Sequence, residues 1–389
     1  IQRRSLAELP RILMHILQLI SSAGLYGAER MLIELSKGLQ AMDGCKCTVG
    51  VIRNSQNPNV EVSEEAKKER LSTAIFPCRN RIDLQTIFEI RKFLLESKAN
   101  LIHCHGYKAN FYGLFASRGK IPAVTTHHNW VSGDWRDGLY CLLDSLWIRY
   151  FDRVITVSDK NKEELLRYRI PKAKIRVIDN GIDIDRLSRE IQVETIKKEF
   201  GLLENSKVVG TIGRLGDEKG QIYLLRAAKG VVEREKFVRF LIVGDGHLRE
   251  YLKEEAAKLG IADSVTFTGY RQDIPELLSV MDLFVLPSIK EALPMVLLEA
   301  LAARKAVIAT KVGGVPKVIA HNRNGLLVGA RDVKALETSI IELLNSTEKR
   351  LRLGAEGRWT VEREFSSDVM CEKYFSLYNE LICPKRSLS

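Results

Sequence analysis

Val208-Val-Gly-Thr-Ile212-Gly213-Arg214-Leu-Gly-Asp-Glu-Lys219-Gly220 is the stretch on which the reading of this chain turns. Val208–Ile212 has the length and β-branched character of a buried strand. The glycine-rich segment after it carries two cations, and Gln221–Arg234 continues with helical periodicity. A strand, a loop and a helix are common anywhere. What decides the fold is that the same order has already run through the first half of the chain and starts again at Val208.

Upstream, the strand candidates are Ile12–Leu19, Cys47–Ile52, Thr73–Phe76, Leu101–Cys104, Ala123–Thr126, Arg153–Val157 and Ile175–Ile178, with helical stretches such as Leu84–Glu96 and Lys160–Tyr168 between them. Asp179-Asn-Gly-Ile-Asp183 is a polar turn cluster, and a charged stretch follows to Asn205. Downstream, strands read at Val208–Ile212, Val238–Val243, Ser264–Phe267, Leu283–Leu286, Ala306–Ala309 and Gly325–Val328. Leu248–Leu259 and Pro294–Ala303 are among the helices between them, and a helical run from Val333 to Ile382 closes the chain. Strands alternating with crossover helices specify parallel sheets. The expected fold is therefore α/β, two doubly wound Rossmann-like domains over 1–183 and 184–365, with ligands where the carboxyl ends of the strands face each other.

Composition sets the outer limits. The 389 residues suffice for two such cores, and 45% hydrophobic with 28% charged residues is a globular composition rather than a disordered or fibrous one. No apolar run approaches the ~20 residues that span a bilayer. The best candidate, Ile12–Ile20, is interrupted by His15 and Gln18. Cysteines at 45, 47, 78, 104, 141, 371 and 383 form no metal-ligand or disulfide framework, which predicts reduced thiols and a cytoplasmic protein. The net charge of +11 leans toward the N-terminal half, where residues 1–185 carry 28 basic against 21 acidic side chains. Such an excess fits solubility, or attraction to a nucleotide, a lipid diphosphate or the anionic inner face of a membrane. No zinc finger, RNP motif or Lys/Arg block points to nucleic acid.

Four groups of residues carry chemistry. Gly24-Leu-Tyr-Gly27 follows the first strand and opens a helix, where glycines let the backbone approach an anion; the same residues also fit a plain strand-to-helix turn. It is not G-x-G-x-x-G, and no acidic residue ends the second strand, so a nicotinamide dinucleotide is disfavoured. Arg214 and Lys219, five apart on the loop quoted above, offer a fork of donors and a mobile point charge to one diphosphate, or are two surface cations. Glu291 follows a strand ending at Pro287-Ser288, Pro294 suits a first helical turn, and Glu299 lies among Val296, Leu297, Leu298, Ala300 and Leu301. A carboxylate there needs a partner, either sugar or ribose hydroxyls or a neighbouring lysine. His103, His105, His127 and His128 fall at two successive strand ends, as cleft-facing groups or as structural ones. No carboxylate or cysteine at ligand spacing completes a zinc site around them. Asp183-Ile-Asp185 spells the D-x-D of metal-dependent sugar transfer, but it lies in the linker and reads as a turn and cap.

Taken in order, these pieces resemble glycosyltransferase family 4, the retaining group 1 glycosyltransferases of GT-B fold. His105-Gly106, Thr126-His-His128, Asn180-Gly-Ile-Asp183, Gly213-Arg214 with Lys219-Gly220, Val243-Gly-Asp-Gly246, Gly269-Tyr-Arg, Glu291 to Glu299 and Gly313-Gly-Val-Pro316 carry the resemblance. It implies two domains facing each other across a cleft, the first on the acceptor side, the second binding the donor, with a C-terminal helix over 366–389 packed back on the first. Residue by residue, it implies that Arg214 and Lys219 hold the donor diphosphate and Glu299 the ribose. Glu291 and the backbone N–H groups of Met295 and Val296 then hold the sugar, beside His128. Gly27 and Gly213 let backbone approach, and the backbone near Tyr270 and Arg271 receives the base. His105, His127 and Lys108 are candidates for the acceptor or sugar side. Two positions depart from the family: Ala292-Leu-Pro294 where Gly-Phe is common, and Lys317 where a glutamate is usual.

The function expected from this resemblance is metal-independent, cofactor-free transfer of a sugar, with retention. The donor would be a UDP- or GDP-linked sugar, and the acceptor a glycan, a lipid-linked glycan or a small molecule, in polysaccharide or glycolipid synthesis. A GT-B sugar-nucleotide epimerase and a catalytically silent GT-B partner subunit are the rival readings. Intact Arg214, Lys219, Glu291 and Glu299 argue against silence.

Overall fold

The computed structural model describes residues 13–21, 24–25, 27–55, 58–80, 82–127, 144–187 and 191–383. The chain divides into two compact units, one of residues 1–180 with 367–389 and one of residues 181–366.

In the first unit, β1 (Met14–Ile20), β2 (Cys45–Asn54), β3 (Ser72–Cys78), β4 (Leu101–His105), β5 (Ala123–His127), β6 (Arg153–Thr156) and β7 (Ile175–Val177) form one parallel sheet. Their order is β3-β2-β1-β4-β5-β6-β7, so the winding reverses between β1 and β4. Crossovers are made by α1 (Gly27–Gln40), α2 (Glu61–Lys68), α3 (Leu84–Glu96), α4 (Tyr107–Ser117) and α5 (Asp159–Arg167). Every residue of β1 is buried, as a central parallel strand covered on both faces requires. Its two polar residues are accommodated by partners. His15 bonds the Thr48 hydroxyl and the Ser97 carbonyl, each at 2.9 Å, and burial holds its pKa below the usual histidine value.

The second unit repeats the plan. β8 (Lys207–Ile212), β9 (Val238–Val243), β10 (Val265–Gly269), β11 (Leu283–Leu286), β12 (Ala306–Thr310) and β13 (Leu326–Val328) pair in parallel in the order β10-β9-β8-β11-β12-β13. Its helices are α6 (Val193–Glu199), α7 (Gln221–Arg234), α8 (Arg249–Lys258), α9 (Ile274–Val280), α10 (Met295–Ala302), α11 (Val315–Val318), α12 (Val333–Leu344) and α13 (Thr347–Glu364). Alternate side chains of each strand feed two cores. One is built around Phe284, Leu297 and Leu298, the other around Leu224, Phe240 and Leu336. The reversal of winding falls between β8 and β11, which leaves a crevice at their carboxyl ends, where doubly wound sheets take ligands.

The closing helical run is in fact three helices. Ser346 breaks it after α12 and caps α13 by accepting from Lys349 N. Phe365 and Ser366 break it again, and α14 (Ser367–Ile382) belongs to the first unit, where Cys371, Tyr374 and Tyr378 pack with Met31, Leu35 and Leu39 of α1. Between β2 and β3, where no element is named from the sequence, the chain forms α2. Asp183 Oδ1 accepts from the N–H groups of Asp185 and Arg186 at 3.0 and 3.2 Å, which is cap chemistry.

α14 also completes a buried polar chain beneath β1, β4 and β5. Tyr378 OH lies 2.7 Å from His103 Nδ1 and accepts from Gln18 Nε2 at 3.5 Å, while Gln18 Oε1 lies 2.9 Å from His105 Nε2. An amide oxygen can only accept, so His105 carries its proton on Nε2. His103 Nε2 in turn lies 2.8 Å from Thr126 Oγ1, which is 3.3 Å from Tyr374 OH. Tyr378→Phe strands two buried groups at once and should cost about 1–3 kcal/mol, a melting shift of about 2–10 °C in a unit of this size. Tyr374→Phe, losing one longer contact, should cost less. Equal melting of both variants with wild type would show that the chain of bonds contributes nothing to stability.

Candidate active site

At the carboxyl end of β8 the chain turns through Gly213 and Arg214 to a single helical turn over Asp217–Lys219. Gly220 follows with φ 64°, and a Cβ there would lie 2.3 Å from the carbonyl oxygen of Pro287. Only glycine permits that approach, which presses the β8 loop against the loop leaving β11. The N–H groups of Ile289 and Lys290 then donate to the Glu218 carbonyl at 2.8 and 3.2 Å. Two loops far apart in sequence are thereby fixed backbone to backbone.

Their side chains meet at one carboxylate. Lys219 Nζ donates to Glu291 Oε1 at 2.8 Å, and Ser288 Oγ donates to the same oxygen at 2.6 Å. Glu291 is 8% exposed, so this is a largely desolvated ion pair. The end of β12 and the loop after it hold this segment from behind. Thr310 Oγ1 donates to the Ser288 carbonyl at 2.5 Å, and Gly314 N donates to the Ala292 carbonyl at 2.7 Å. Gly313 has φ 52°, and a Cβ there would overlap the Glu291 carbonyl oxygen at 1.8 Å. The Gly-Gly-Val-Pro stretch thus has a mechanical role, clamping the segment that carries Glu291.

Arg214 and Lys219 are on the same loop but each has its own carboxylate. Arg214 is exposed and pairs with Glu218 Oε1 at 2.6 Å. Partial burial pushes the Glu218 carboxyl up, but the Arg214 guanidinium and nearby N–H groups outweigh it and hold it below the ordinary glutamate value. Glu218, Ser288 and Thr310 are the site residues that sequence reading missed. The one signal for Glu218 was its place four residues after Arg214.

The other donor-side positions lie around this pair. α10 starts at Met295 after Pro294, so the N–H groups of Met295 and Val296 are in the first turn, where no helical acceptor precedes them. Glu299 is half-buried on the same helix, opposite the buried Leu297, Leu298, Ala300 and Leu301. Tyr270 is exposed at the end of β10. The Arg271 guanidinium is committed to Asp273 and Glu199 and lies 5.5 Å from the centre of the Phe200 ring. Those two carboxylates push its pKa above the usual arginine range, Asp273 contributing first. Lys317 is exposed on α11.

In the first unit the histidines sit inside the sheet rather than beyond its strand ends. His103 and His105 belong to β4 and are buried, their ring centroids 4.1 Å apart. His127 is the buried last residue of β5, with Nε2 3.7 Å from Glu164 Oε2. Lys108 is in the first turn of α4, 6.0 Å from the centre of the Tyr112 ring. His128 lies outside the described residues. Gly27 opens α1, and a Cβ there would meet nothing within 4 Å, so the described fold itself does not demand glycine at this point.

Known proteins resemble this chain over both of its units. The family model of the glycosyl transferases group 1 matches residues 192–359, and that of Glycosyltransferase Family 4 matches residues 26–186. An uncharacterized glycosyltransferase of Methanocaldococcus jannaschii is 30% identical over 298 residues, 72% of this chain and 75% of that protein. The UDP-Gal:alpha-D-GlcNAc-diphosphoundecaprenol alpha-1,3-galactosyltransferase of Escherichia coli is 28% identical over 323 residues, 79% of this chain and 83% of its own length. Among solved structures, Anabaena HepE in complex with UDP-glucose superposes with a TM-score of 0.79 at 23% identity, covering 95% of this chain and all of that one.

Breaking a buried ion pair at one partner leaves the other charge desolvated and alone, which costs more than removing both. Lys219→Ala and Glu291→Gln should each destabilise the second unit, by on the order of 2 kcal/mol once the partial exposure of the lysine is allowed for. The double variant should lose less than the sum. Strictly additive losses in urea denaturation would mean that the two groups do not interact.

Proposed function

This chain is a group 1 glycosyltransferase of the family 4 type, with a GT-B fold, and we propose that it transfers a sugar, with retention and without a metal ion, from a UDP-linked donor to a lipid-linked acceptor. The observation that carries this reading is the Lys219–Glu291 pair at the switch point of the second sheet. UDP is favoured over GDP because the E. coli relative's name and the HepE complex both specify it. The relative's name also specifies a GlcNAc-diphosphoundecaprenol acceptor, the kind of anionic lipid that the basic first half of this chain would attract. We place the enzyme on the cytoplasmic face of such a membrane.

When the donor's glycosidic bond breaks, negative charge grows on the β-phosphate. Positive groups held in place beforehand lower that barrier without having to reorganise. Lys219 has three N–H donors, and Glu291 fixes the direction of one, so the other two are aimed in advance. Arg214 supplies a second, more mobile cation, and the first turn of α10 adds N–H groups with the positive end of its dipole. Glu291 accepts from Lys219 and Ser288 on one oxygen and offers the other to a sugar hydroxyl. Glu299 takes the ribose hydroxyls. In a front-face reaction the leaving phosphate removes the acceptor's proton as the new bond forms on the face the leaving group vacates. No protein nucleophile is required.

Kinetics separate these roles. Lys219→Ala should lower kcat and kcat/KM together by on the order of 10²–10³, because its contribution grows in the transition state. Glu299→Gln should mainly raise the donor KM, since ribose contacts do not change during reaction. Activity should persist in EDTA, and NMR should show the donor's anomeric configuration in the product. Folded variants with unchanged kinetics, activity restored only by Mg²⁺, or turnover of the donor with no acceptor present would each overturn the reading.

A further inference from the structure

α3 has two apolar faces. Thr86, Ile90 and Leu94 are buried against the first unit's sheet. On the opposite side Leu84 is 74% exposed, Phe88 59% and Leu95 70%, with Ile82 just before the helix at 65%. At one and three turns' separation, Leu84, Phe88 and Leu95 line up as a single stripe. A surface helix of a soluble unit ordinarily presents polar residues there. Large exposed apolar side chains repeated along one helix face mark a surface meant to be covered.

The surroundings of the stripe say by what. Arg91 lies along it and donates to the carbonyls of Phe115 and Ala116 at the end of α4. That brings the exposed Phe115 and Arg118 alongside, and Lys92 flanks the stripe, 4.0 Å from Glu96. Residues 79–120 contain eight Lys and Arg against three Asp and Glu. Among the basic residues around the stripe, Arg79, Lys92, Lys98, Arg118 and Lys120 are exposed. An apolar stripe bordered by cations is complementary to an interface that is greasy inside and negative at its surface. No described helix is long and apolar enough to cross a membrane, so contact here is with the surface layer.

We propose that the exposed face of α3, with the C-terminal end of α4, seats this protein on an anionic lipid bilayer. Leu84, Phe88 and Leu95 enter the acyl boundary, and Lys92 and Arg118 lie at the level of the phosphates. The proposal deepens the lipid-linked acceptor reading above by naming the surface that brings the enzyme to its substrate.

The test is co-sedimentation of the full chain with phosphatidylcholine vesicles, with and without phosphatidylglycerol. Wild type should bind the anionic vesicles and release them as salt rises. Leu84→Ser/Phe88→Ser/Leu95→Ser and Lys92→Glu/Arg118→Glu should each bind more than about tenfold more weakly. Leu203→Ser/Phe237→Ser, on exposed residues of the second unit, should bind as wild type does. The proposal fails if wild type binds neither vesicle or both equally, or if the stripe variant binds like wild type. It fails also if the stripe variant instead abolishes a concentration-dependent dimer in sedimentation velocity, because the face then covers a second copy. Thermal shift with UDP keeps the two readings apart. It should be the same in wild type and stripe variant, and its absence in both would overturn the donor assignment while leaving the membrane result standing.

Discussion

Lys219 and Glu291 are 72 residues apart in the chain and 2.8 Å apart in the fold. One charge ends the loop after β8 and the other follows β11, the two strands between which the winding of the second sheet reverses. Desolvating both would be costly unless geometry repaid it. The repayment is visible in the backbone: Gly220 against Pro287, two N–H groups on the Glu218 carbonyl, and the β12 loop folded over Glu291. The pair is thus the point at which three loops of the sheet are brought into register. A ligand entering the crevice meets groups that are already aimed.

That preorganisation links fold to chemistry. A lysine waving in solvent would lose rotamer freedom on binding a diphosphate, and water would screen its charge. Held by Glu291 in a partly buried loop, it has met the ordering cost during folding. Arg214 is the contrasting case, exposed and paired with a neighbour on its own loop. It can leave Glu218 for a phosphate at little cost, since exposed ion pairs are worth little. One cation is fixed and the other adaptable, and this division of labour follows from their burial alone.

Much of this was legible in the sequence. The thirteen strands named from β-branched runs all exist, and helices such as Leu84–Glu96 and Gln221–Arg234 have the expected bounds. Central parallel strands are buried on both faces, and their composition is too apolar to be mistaken. What could not be read is what depends on distant partners. Nothing local in Val333–Ile382 says that its last helix crosses to the first unit; the family resemblance alone implied it, and in the fold it depends on α1 offering Met31, Leu35 and Leu39. The sequence leaves open whether the histidines at the ends of β4 and β5 face a cleft or are structural, and Gln18, Thr126 and two tyrosines of the last helix hold His103 and His105 in the interior. Arg214 has its carboxylate, Glu218, on its own loop, but the partner of Lys219 appears only once β11 is set beside β8.

The central claim is that a nucleotide-diphosphate sugar occupies the crevice around Lys219 and Glu291. Hydrogen exchange read by mass spectrometry, with and without saturating UDP-sugar, tests it most directly, because slowed exchange reports on the backbone that the ligand orders. The account predicts slowed exchange in peptides covering Gly213–Gly220 and Pro287–Val296, and unchanged exchange over α12 and α13. Protection confined to other segments, or none at a concentration where binding is measured by calorimetry, would contradict it.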